Sequence, residues 1–263
     1  MPRTHENALQ TLYKYRSLAP QSERPRAGRE AAENIIRLNR IYWQSPLAFN
    51  DPFDCNPALI FGTNSASRVN FAKRAVANNY PSLNRVERAQ RVKEFLRVPA
   101  PIRTADIRTA FRQWMEESAV TCFSQVRDSI LMWAHYADSH RGVCFIFREV
   151  VDQSQSWWAY DVTYSDERPV IDYTQDPEAM VKRGILNKSV LWEYEKECRM
   201  LEYRRAPGYR SFPREALVGV IYGARISEDD RAFMDDLLSD RRSLEKYQAT
   251  LDEHLFQVNI ERI

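Results

Sequence analysis

One segment, residues 191–201, holds acidic, basic and aromatic side chains more densely than an ordinary surface segment does. In a β-strand, alternate side chains point to opposite faces, so Glu195, Glu197 and Arg199 would share one face. Neighbouring carboxylates on that face would be about 6.6 to 7 Å apart at their Cα atoms. Like charges at this spacing disfavour double ionisation, and a nearby guanidinium relieves part of that cost. The segment therefore predicts a site for acid–base catalysis or charge stabilisation, with these three residues as catalytic candidates.

The same residues are also compatible with a solvent-exposed helix. In a helix, Glu195 and Arg199 would form an i,i+4 ion pair worth a few tenths of a kcal/mol. The segment alone leaves this alternative open.

A second group of carboxylates lies in the turn-forming segment 45–55, which contains two prolines and an Asn-Asp pair. Side chains of this type bond to nearby backbone groups and fix turns, so we expect Asp51 and Asp54 to have a structural role. Phe49 and Phe53 are expected to anchor the turn to the core. A site for a hard metal ion is the alternative for the two aspartates.

A local excess of positive charge occupies residues 66–117, where the apolar spacing predicts helices. It could contact RNA, DNA or an acidic protein, although a charged helical face is more often simply solvated. Its basic residues are Arg68, Lys73, Arg74, Arg85, Arg88, Arg91, Lys93, Arg97, Arg103, Arg108 and Arg112.

The composition limits the classes of function. The chain has 263 residues, with 38 Lys and Arg against 36 Asp and Glu, so the whole molecule carries no strong field toward nucleic acid or acidic membranes. Its four cysteines are widely spaced and have no histidine at metal-ligand spacing, so we expect reduced, structural thiols and no metal. No signal-like or membrane-spanning apolar run is present, which predicts a cytoplasmic protein without a membrane partner.

Short apolar strands alternate with amphipathic helices along the chain. We predict a single α+β domain over residues 1–263, with a mixed or antiparallel central sheet and a basic helical insertion at about 66–117. The expected strands lie at 12–17, 41–43, 120–124, 143–147, 158–164, 217–223 and 256–260. The expected helices lie at 30–39, 130–137, around 176–191, and at 228–238, with Asp128 and Ser227 as N-caps of the second and the last.

Four motifs resemble those of a bacterial protein family of unknown function. They are Tyr-Lys-Tyr-Arg at residues 13–16, Phe-Asn-Asp-Pro-Phe-Asp at 49–54, Met-Trp-Ala-His-Tyr-Ala at 132–137, and Trp-x-Tyr-Glu-x-Glu-x-Arg at 192–199. They occur in the family's order and span almost the whole chain. The resemblance implies membership and leaves the activity open.

The chain also resembles the ADP-ribosyltransferase superfamily, whose arginine-type members use an Arg on the first strand, a Ser-containing second strand and a Glu-x-Glu element. Arg16, Ser45 and residues 195–197 occur in that order, although this chain has Gln-Ser-Pro at 44–46 where the family has Ser-Thr-Ser. This resemblance implies an enzyme that takes NAD as substrate and modifies a host macromolecule, as a toxin or phage-defence effector. An antitoxin or defence-system partner is implied as well.

The superfamily resemblance also implies roles for individual residues. Glu197 would stabilise the charge that builds on the ribose, Glu195 would orient or deprotonate the nucleophile, and Arg199 would set their ionisation. Arg16 would bind the pyrophosphate. The remaining candidate contacts to NAD are Tyr13, Tyr15, Trp43, Tyr194, Ser45, Asn50 and His135.

Several of these residues also have a purely structural interpretation, and two other functions stay open. His135, in a helix among aromatic residues, is more often a hydrogen-bonded core residue than a catalyst, and each aromatic candidate is equally typical of a core position. One other function is a metal-dependent nuclease or hydrolase that uses Asp51, Asp54, Glu195 and Glu197. The other is a non-enzymatic module that binds nucleic acid or protein through its basic helices.

Overall fold

A mixed eight-stranded sheet forms the centre of the molecule, with helices on both of its faces. The computed structural model describes residues 9–20, 27–98, 100–151, 156–174 and 182–263, with the side chains of 100–104 left out. Taken in spatial order, the strands of this sheet are β16, β15, β14, β5, β1, β4, β12 and β8. Neighbouring strands of this sheet are antiparallel, except for β14 and β15, which are parallel to each other. The strands are β1 (Thr11–Arg16), β4 (Ala119–Ser124), β5 (Val143–Arg148), β8 (Tyr160–Asp161), β12 (Glu197–Glu202), β14 (Leu217–Tyr222), β15 (Glu245–Leu251) and β16 (Val258–Arg262).

Four two-stranded sheets pack around the central one. They pair β2 (Arg40–Trp43) with β13 (Gly208–Ser211), β3 (Ala58–Ile60) with β10 (Val170–Asp172), β6 (Val150–Val151) with β7 (Ser156–Trp157), and β9 (Thr163–Ser165) with β11 (Asn187–Ser189). The α-helices are α1 (Ala27–Ile36), α2 (Ser65–Asn79), α3 (Arg85–Arg97), α4 (Ala100–Glu116), α5 (Ile130–Tyr136) and α6 (Glu228–Ser239). Short 3₁₀ helices span Pro46–Ala48, Val190–Glu195 and Arg214–Ala216.

Alternate residues of the central strands are buried on opposite faces of the sheet. Leu12 and Phe147 pack toward α1 and α6 on one face, whereas Tyr15 and Ile146 pack toward α5 on the other. Residues 143–147 of β5 are therefore buried on both faces, as their wholly apolar sequence predicted. The predicted α+β class is confirmed, and the central sheet is of the mixed type.

A third cluster of buried residues lies beside the sheet. It joins α4 to β3 and β10 through Phe111, Ile107, Leu59 and Ile171. α2 and α3 pack against this cluster through partly buried Phe71 and Phe95, while no residue of α3 is fully buried. The basic region predicted at 66–117 thus consists of α2, α3 and α4, with Arg103 outside the described side chains.

Several element boundaries differ from the expectations. The strand expected at 158–164 is divided between β8 and β9, because β8 pairs with β12 whereas β9 pairs with β11, and β15 was not anticipated. Residues 176–181 of the helix expected around 176–191 lie outside the described residues, and residues 182–185 are helical as expected. From 187 onward the chain instead forms β11 and a 3₁₀ helix.

Two expectations about single residues were also wrong. Ser129, and not Asp128, caps α5, since its Oγ accepts the N–H of Met132 at 3.4 Å. Phe53 is 64% exposed, so only Phe49 of the expected pair of anchors packs against the core. Ser227 caps α6 as predicted.

The expectations about membrane association and thiols concern the described residues alone. Within them, no helix is both long and apolar enough to cross a bilayer. The four cysteines are free thiols, three of them fully buried.

Candidate functional site

A gap opens in the central sheet between β1 and β4. The pairing of β1 with β5 runs through six residue pairs, whereas among the described residues its pairing with β4 consists of Tyr13 and Ser124. Beyond that pair the two strands separate. We call this gap the seam, and it leaves backbone groups of both strands without a sheet partner.

A cavity of about 540 Å³ occupies the seam, which is within the size range of small-molecule sites. Residues 13–16 of β1 and 120–124 of β4 form its walls, and carboxylates and cations from four further segments complete it. The ionisable residues that line it include Lys14, Arg16, Asp54, Lys188, Glu195, Glu197 and Arg199, together with five tyrosines.

The two central glutamates reach this cavity from different elements. Glu195 ends the 3₁₀ helix, Glu197 begins β12, and Lys196 between them adopts the left-handed conformation with φ 42°. The prediction that all three catalytic candidates share one strand was therefore wrong for Glu195, because the left-handed residue turns the chain between the two glutamates. Their side chains nevertheless meet, since Lys188 bonds to both.

Arg199 is completely buried and holds two carboxylates in place. Its guanidinium makes a bidentate contact to Glu197 at 2.8 and 2.8 Å and another to Asp54 at 2.9 and 2.7 Å. A further N–H donates to the carbonyl of Ile185. These contacts use all five of its donors, so Arg199 positions the site and has no donor left for a ligand.

Glu195 is held by two donors on opposite sides. The hydroxyl of Tyr136 donates to its Oε1 at 2.5 Å, and the amine of Lys188 contacts its Oε2. Lys188 also lies 3.0 Å from Glu197 Oε2 and 3.8 Å from Asp54 Oδ2. Glu195 is 3% exposed, so this arrangement is a buried ion-pair network and not a surface one.

The two glutamates differ in ionisation because their neighbours differ. Burial alone would raise the pKa of Glu197, but Arg199 and Lys188 lower this pKa to about 2. Burial raises the pKa of Glu195, and the charge on Glu197 adds to this rise against the opposing effect of Lys188. Glu197 therefore stays ionised at neutral pH, whereas the raised pKa of Glu195 makes it the better proton acceptor. Such a difference between two carboxylates is typical of acid–base pairs.

Lys14 brings a buried amine to the other wall of the cavity. Its Nζ donates to Thr121 Oγ1 at 2.9 Å and to the carbonyl of Cys122 at 2.7 Å, and lies 4.8 Å from the ring centroid of Phe123. The amine therefore satisfies acceptors that the seam leaves unpaired. Burial, helped by the positive charge of Arg16, lowers the pKa of Lys14 to about 7.

Arg16 lies on the same face of β1, two residues further along. Its Nε is buried and has no hydrogen-bond partner among the described residues. Burial lowers its pKa, which reflects the cost of holding this cation without a bonded anion. A ligand anion in the cavity would remove that cost, and the pyrophosphate contact of Arg16 stays a prediction.

The other predicted contacts to NAD are only partly brought together. Tyr13 and Asn50 line the cavity. Tyr15 also borders it, but it is 6% exposed, donates to the carbonyl of Val126 at 2.9 Å and packs edge-on against Trp133 at 5.1 Å. Tyr15 is therefore mainly a core residue.

Four candidates, Ser45, His135, Trp43 and Tyr194, lie outside the cavity lining. Ser45 caps the 3₁₀ helix Pro46–Ala48, where its Oγ accepts the N–H of Leu47 at 3.3 Å. His135 is exposed on α5, so the expectation of a buried histidine was wrong; its ring lies 6.4 Å from that of Tyr194. Trp43 is buried in the main core cluster.

The aspartates of the 45–55 segment have separate structural contacts. Asp51 accepts the N–H of Phe53 at 2.8 Å and the indole N–H of Trp192 at 2.7 Å, whereas Asp54 binds Arg199. Among the described residues, no group of three or more His, Cys, Asp and Glu is arranged to hold a metal ion. The carboxylates of the site instead bind the cations of Lys188 and Arg199.

Sequence reasoning missed Lys14, Lys188 and Tyr136 as members of the site. Lys14 left a signal in the sequence. It shares one face of an apolar strand with Leu12 and Arg16, and a charge on such a strand requires a partner. Lys188 and Tyr136 left none that points to Glu195, since the contact of Lys188 depends on how β11 and the 3₁₀ helix fold locally and that of Tyr136 on the tertiary fold.

Part of the chain matches a described protein family. Residues 132–200 match a family described as "Protein of unknown function (DUF2971)". The matched segment begins in α5 and ends in β12, so it contains Tyr136, Lys188, both glutamates and Arg199. No curated protein and no solved structure matches the chain.

Proposed function

We propose that this chain is an ADP-ribosyltransferase-like enzyme that binds NAD in the seam cavity and cleaves its nicotinamide–ribose bond. The observation that carries the proposal is the pair of carboxylates with separated pKa values, opposite the cations of β1 in one cavity. NAD carries a negative pyrophosphate and a positive nicotinamide ring. A cavity with a cationic wall and an anionic wall complements both.

In the proposed reaction, Glu197 stabilises positive charge on the ribose. The bond between C1′ and the nicotinamide nitrogen breaks, and its electron pair leaves with nicotinamide. An acceptor oxygen or nitrogen then bonds to C1′ and gives its proton to Glu195. Because Glu197 stays ionised, its charge is already in place when the ribose becomes cationic.

The remaining residues of the site would position these groups. Arg199 fixes the Glu197 carboxylate through two parallel bonds, and Asp54 fixes Arg199 in turn. Lys188 and Tyr136 orient Glu195. Arg16 binds the pyrophosphate, for which its unpartnered Nε is suited.

The first experiment measures nicotinamide release from NAD by the wild type, Glu197→Gln and Glu195→Gln, with metal chelated. Cell extract is added as a source of macromolecular acceptors, and each protein is also assayed without it. We expect Glu197→Gln to lower the rate by a factor on the order of 100 or more. Glu195→Gln should lower it on the order of 100-fold through loss of proton transfer.

Glu193→Gln is the matched control, since Glu193 lies in the same 3₁₀ helix but is about half exposed and pairs with Lys196. Its activity should equal that of the wild type. Urea denaturation of each variant separates loss of catalysis from loss of folding. Absence of NAD consumption by folded wild type in every extract would contradict the proposal.

A further inference from the structure

Two tyrosines lie side by side at one end of the cavity and have no part in the proposed chemistry. Tyr42 on β2 pairs in register with Tyr209 on β13, and their ring centroids are 5.3 Å apart at an interplanar angle of 77°. Both line the cavity, and Tyr42 is 42% exposed. We call this pair the aromatic platform.

Arginines flank the aromatic platform. The guanidinium of Arg40 lies 5.4 Å from the ring centroid of Tyr209. Its Nη2 donates a hydrogen bond of 2.8 Å to Asn34 Oδ1, which holds the guanidinium in place. Arg16 lies within electrostatic reach of Tyr209 from the cavity wall. Aromatic rings beside arginines are the elements with which proteins bind a nucleobase next to a phosphate.

The chemical groups follow one another in order along the cavity. Glu197 acts electrostatically on Lys14, and Arg16, two residues further along β1, acts on Tyr209. Two strand residues advance about 6.6 to 7 Å. The order is therefore carboxylates, cations, then aromatic platform, which corresponds to ribose, pyrophosphate and nucleobase in a dinucleotide.

We propose that the aromatic platform is the adenine subsite, where the adenine ring of NAD stacks on Tyr42 and meets Tyr209 edge to face while its pyrophosphate contacts Arg16. This inference rests on the proposed function and assigns the orientation of its substrate. The nicotinamide end then lies at Glu195 and Glu197, where the bond is cleaved. The contribution of the platform is to binding alone, because adenine takes no part in the reaction.

The test compares NAD with nicotinamide mononucleotide, which has the reacting bond but lacks the adenylate half. Tyr42→Ala should raise the KM for NAD by roughly tenfold or more, the usual effect of losing one stacked base. Its kcat for NAD and its KM for nicotinamide mononucleotide should stay unchanged. Tyr42→Phe and Tyr209→Phe keep the rings and should retain the wild-type KM.

Tyr80→Ala is the matched control, because Tyr80 has a similar exposure of 45% but lies at the end of α2, outside the cavity lining. An equal rise of KM for both substrates in Tyr42→Ala would overturn the subsite, as would no rise for either.

Calorimetric titration with ADP-ribose tests the subsite without any turnover. Wild type should bind it, and Tyr42→Ala should bind it roughly tenfold or more weakly. This result would support the subsite even if the protein consumed no NAD. Equal affinity of both proteins, or no binding to the wild type, would overturn it. The subsite would also be overturned if Tyr42→Ala kept its affinity for ADP-ribose and lost only ADP-ribosyl transfer onto single-stranded oligonucleotides.

Discussion

Arg199 shows how one side chain can set the geometry of a whole site. Its removal would leave Glu197 and Asp54 as buried carboxylates without their main cation, and breaking such a pair costs about 3–5 kcal/mol. We predict that Arg199→Met lowers the free energy of unfolding by about that amount, measured by urea denaturation at neutral pH. The same variant should lose NAD cleavage, since Glu197 would no longer be fixed.

The comparison for Arg199→Met is Arg205→Met, which removes an arginine that is 59% exposed and bonded to Glu202. Exposed pairs of this type contribute about 0–1 kcal/mol, so its unfolding free energy should stay near that of the wild type. Similar losses in the two variants would show that the buried network adds little.

Lys14 should make stability depend on pH in a defined window. Its folded pKa of about 7 lies below its unfolded value of 10.5, so between these limits the unfolded chain binds more protons. Wild-type stability should then increase with pH relative to Lys14→Met, by up to about 1.4 kcal/mol per pH unit. Below pH 7 the amine is charged in both states, and the difference between the two proteins should be constant.

Urea denaturation of both proteins at pH 6, 7.5 and 9 measures this difference. Lys93→Met removes an exposed lysine of α3 and controls for the general loss of one charge. A difference between wild type and Lys14→Met that is the same at all three pH values would contradict the lowered pKa.

At the scale of elements, the junction between the 3₁₀ helix and β12 decides where the glutamates point. Lys196 holds the left-handed conformation there, which costs a residue with a Cβ atom about 1–2 kcal/mol. We predict that Lys196→Gly keeps or raises the free energy of unfolding, that Lys196→Asn stays close to it, and that Lys196→Val lowers it. Urea midpoints give the order, and NAD cleavage should be weakest in Lys196→Val.

The ion pair of Lys196 with Glu193 is exposed and is lost in all three variants, so it does not affect their order. If Lys196→Val were as stable and active as Lys196→Gly, the left-handed turn would not position the site.

This junction also marks the limit of what the sequence could predict. β1, β4, β5 and β14 were predictable because their apolar residues alternate or run without interruption. Glu195 was placed on a strand because its spacing to Glu197 fits a strand, and a single left-handed lysine has no pattern that would have corrected it. The contacts of Asp54 to Lys188 and Arg199 join segments far apart in sequence, so periodicity could not reveal them.

The candidate site residues differ in how they were identified from the sequence. Glu195 and Glu197 were found from the density of charged and aromatic residues in one segment, and Arg16 from the order of the superfamily motif; all three line the cavity. Ser45 and His135 were chosen from motif order alone, and the fold places both outside the cavity lining. Motif order carries no information about the direction of a side chain.

For the whole molecule, the seam separates two parts of one sheet. β1 and β5 belong to the part that continues through β14, and β4 and β12 belong to the other. The proposed ligand contacts Arg16 on the first part and Glu197 on the second. It would therefore join strands that backbone hydrogen bonds do not join along the seam.

A ligand that binds across the seam must stabilise the folded chain, since the unfolded chain has no cavity. We predict that ADP-ribose at 100 times its dissociation constant raises the free energy of unfolding by about 2.7 kcal/mol. Because each kcal/mol shifts the midpoint of a large domain by about 2–4 °C, the thermal transition should move up by several degrees. Ribose 5-phosphate, which lacks the adenylate half, should produce a smaller shift at equal concentration. Hydrogen exchange of β1 and β4 should slow in the complex, and slowing elsewhere with none in these strands would place the ligand outside the seam.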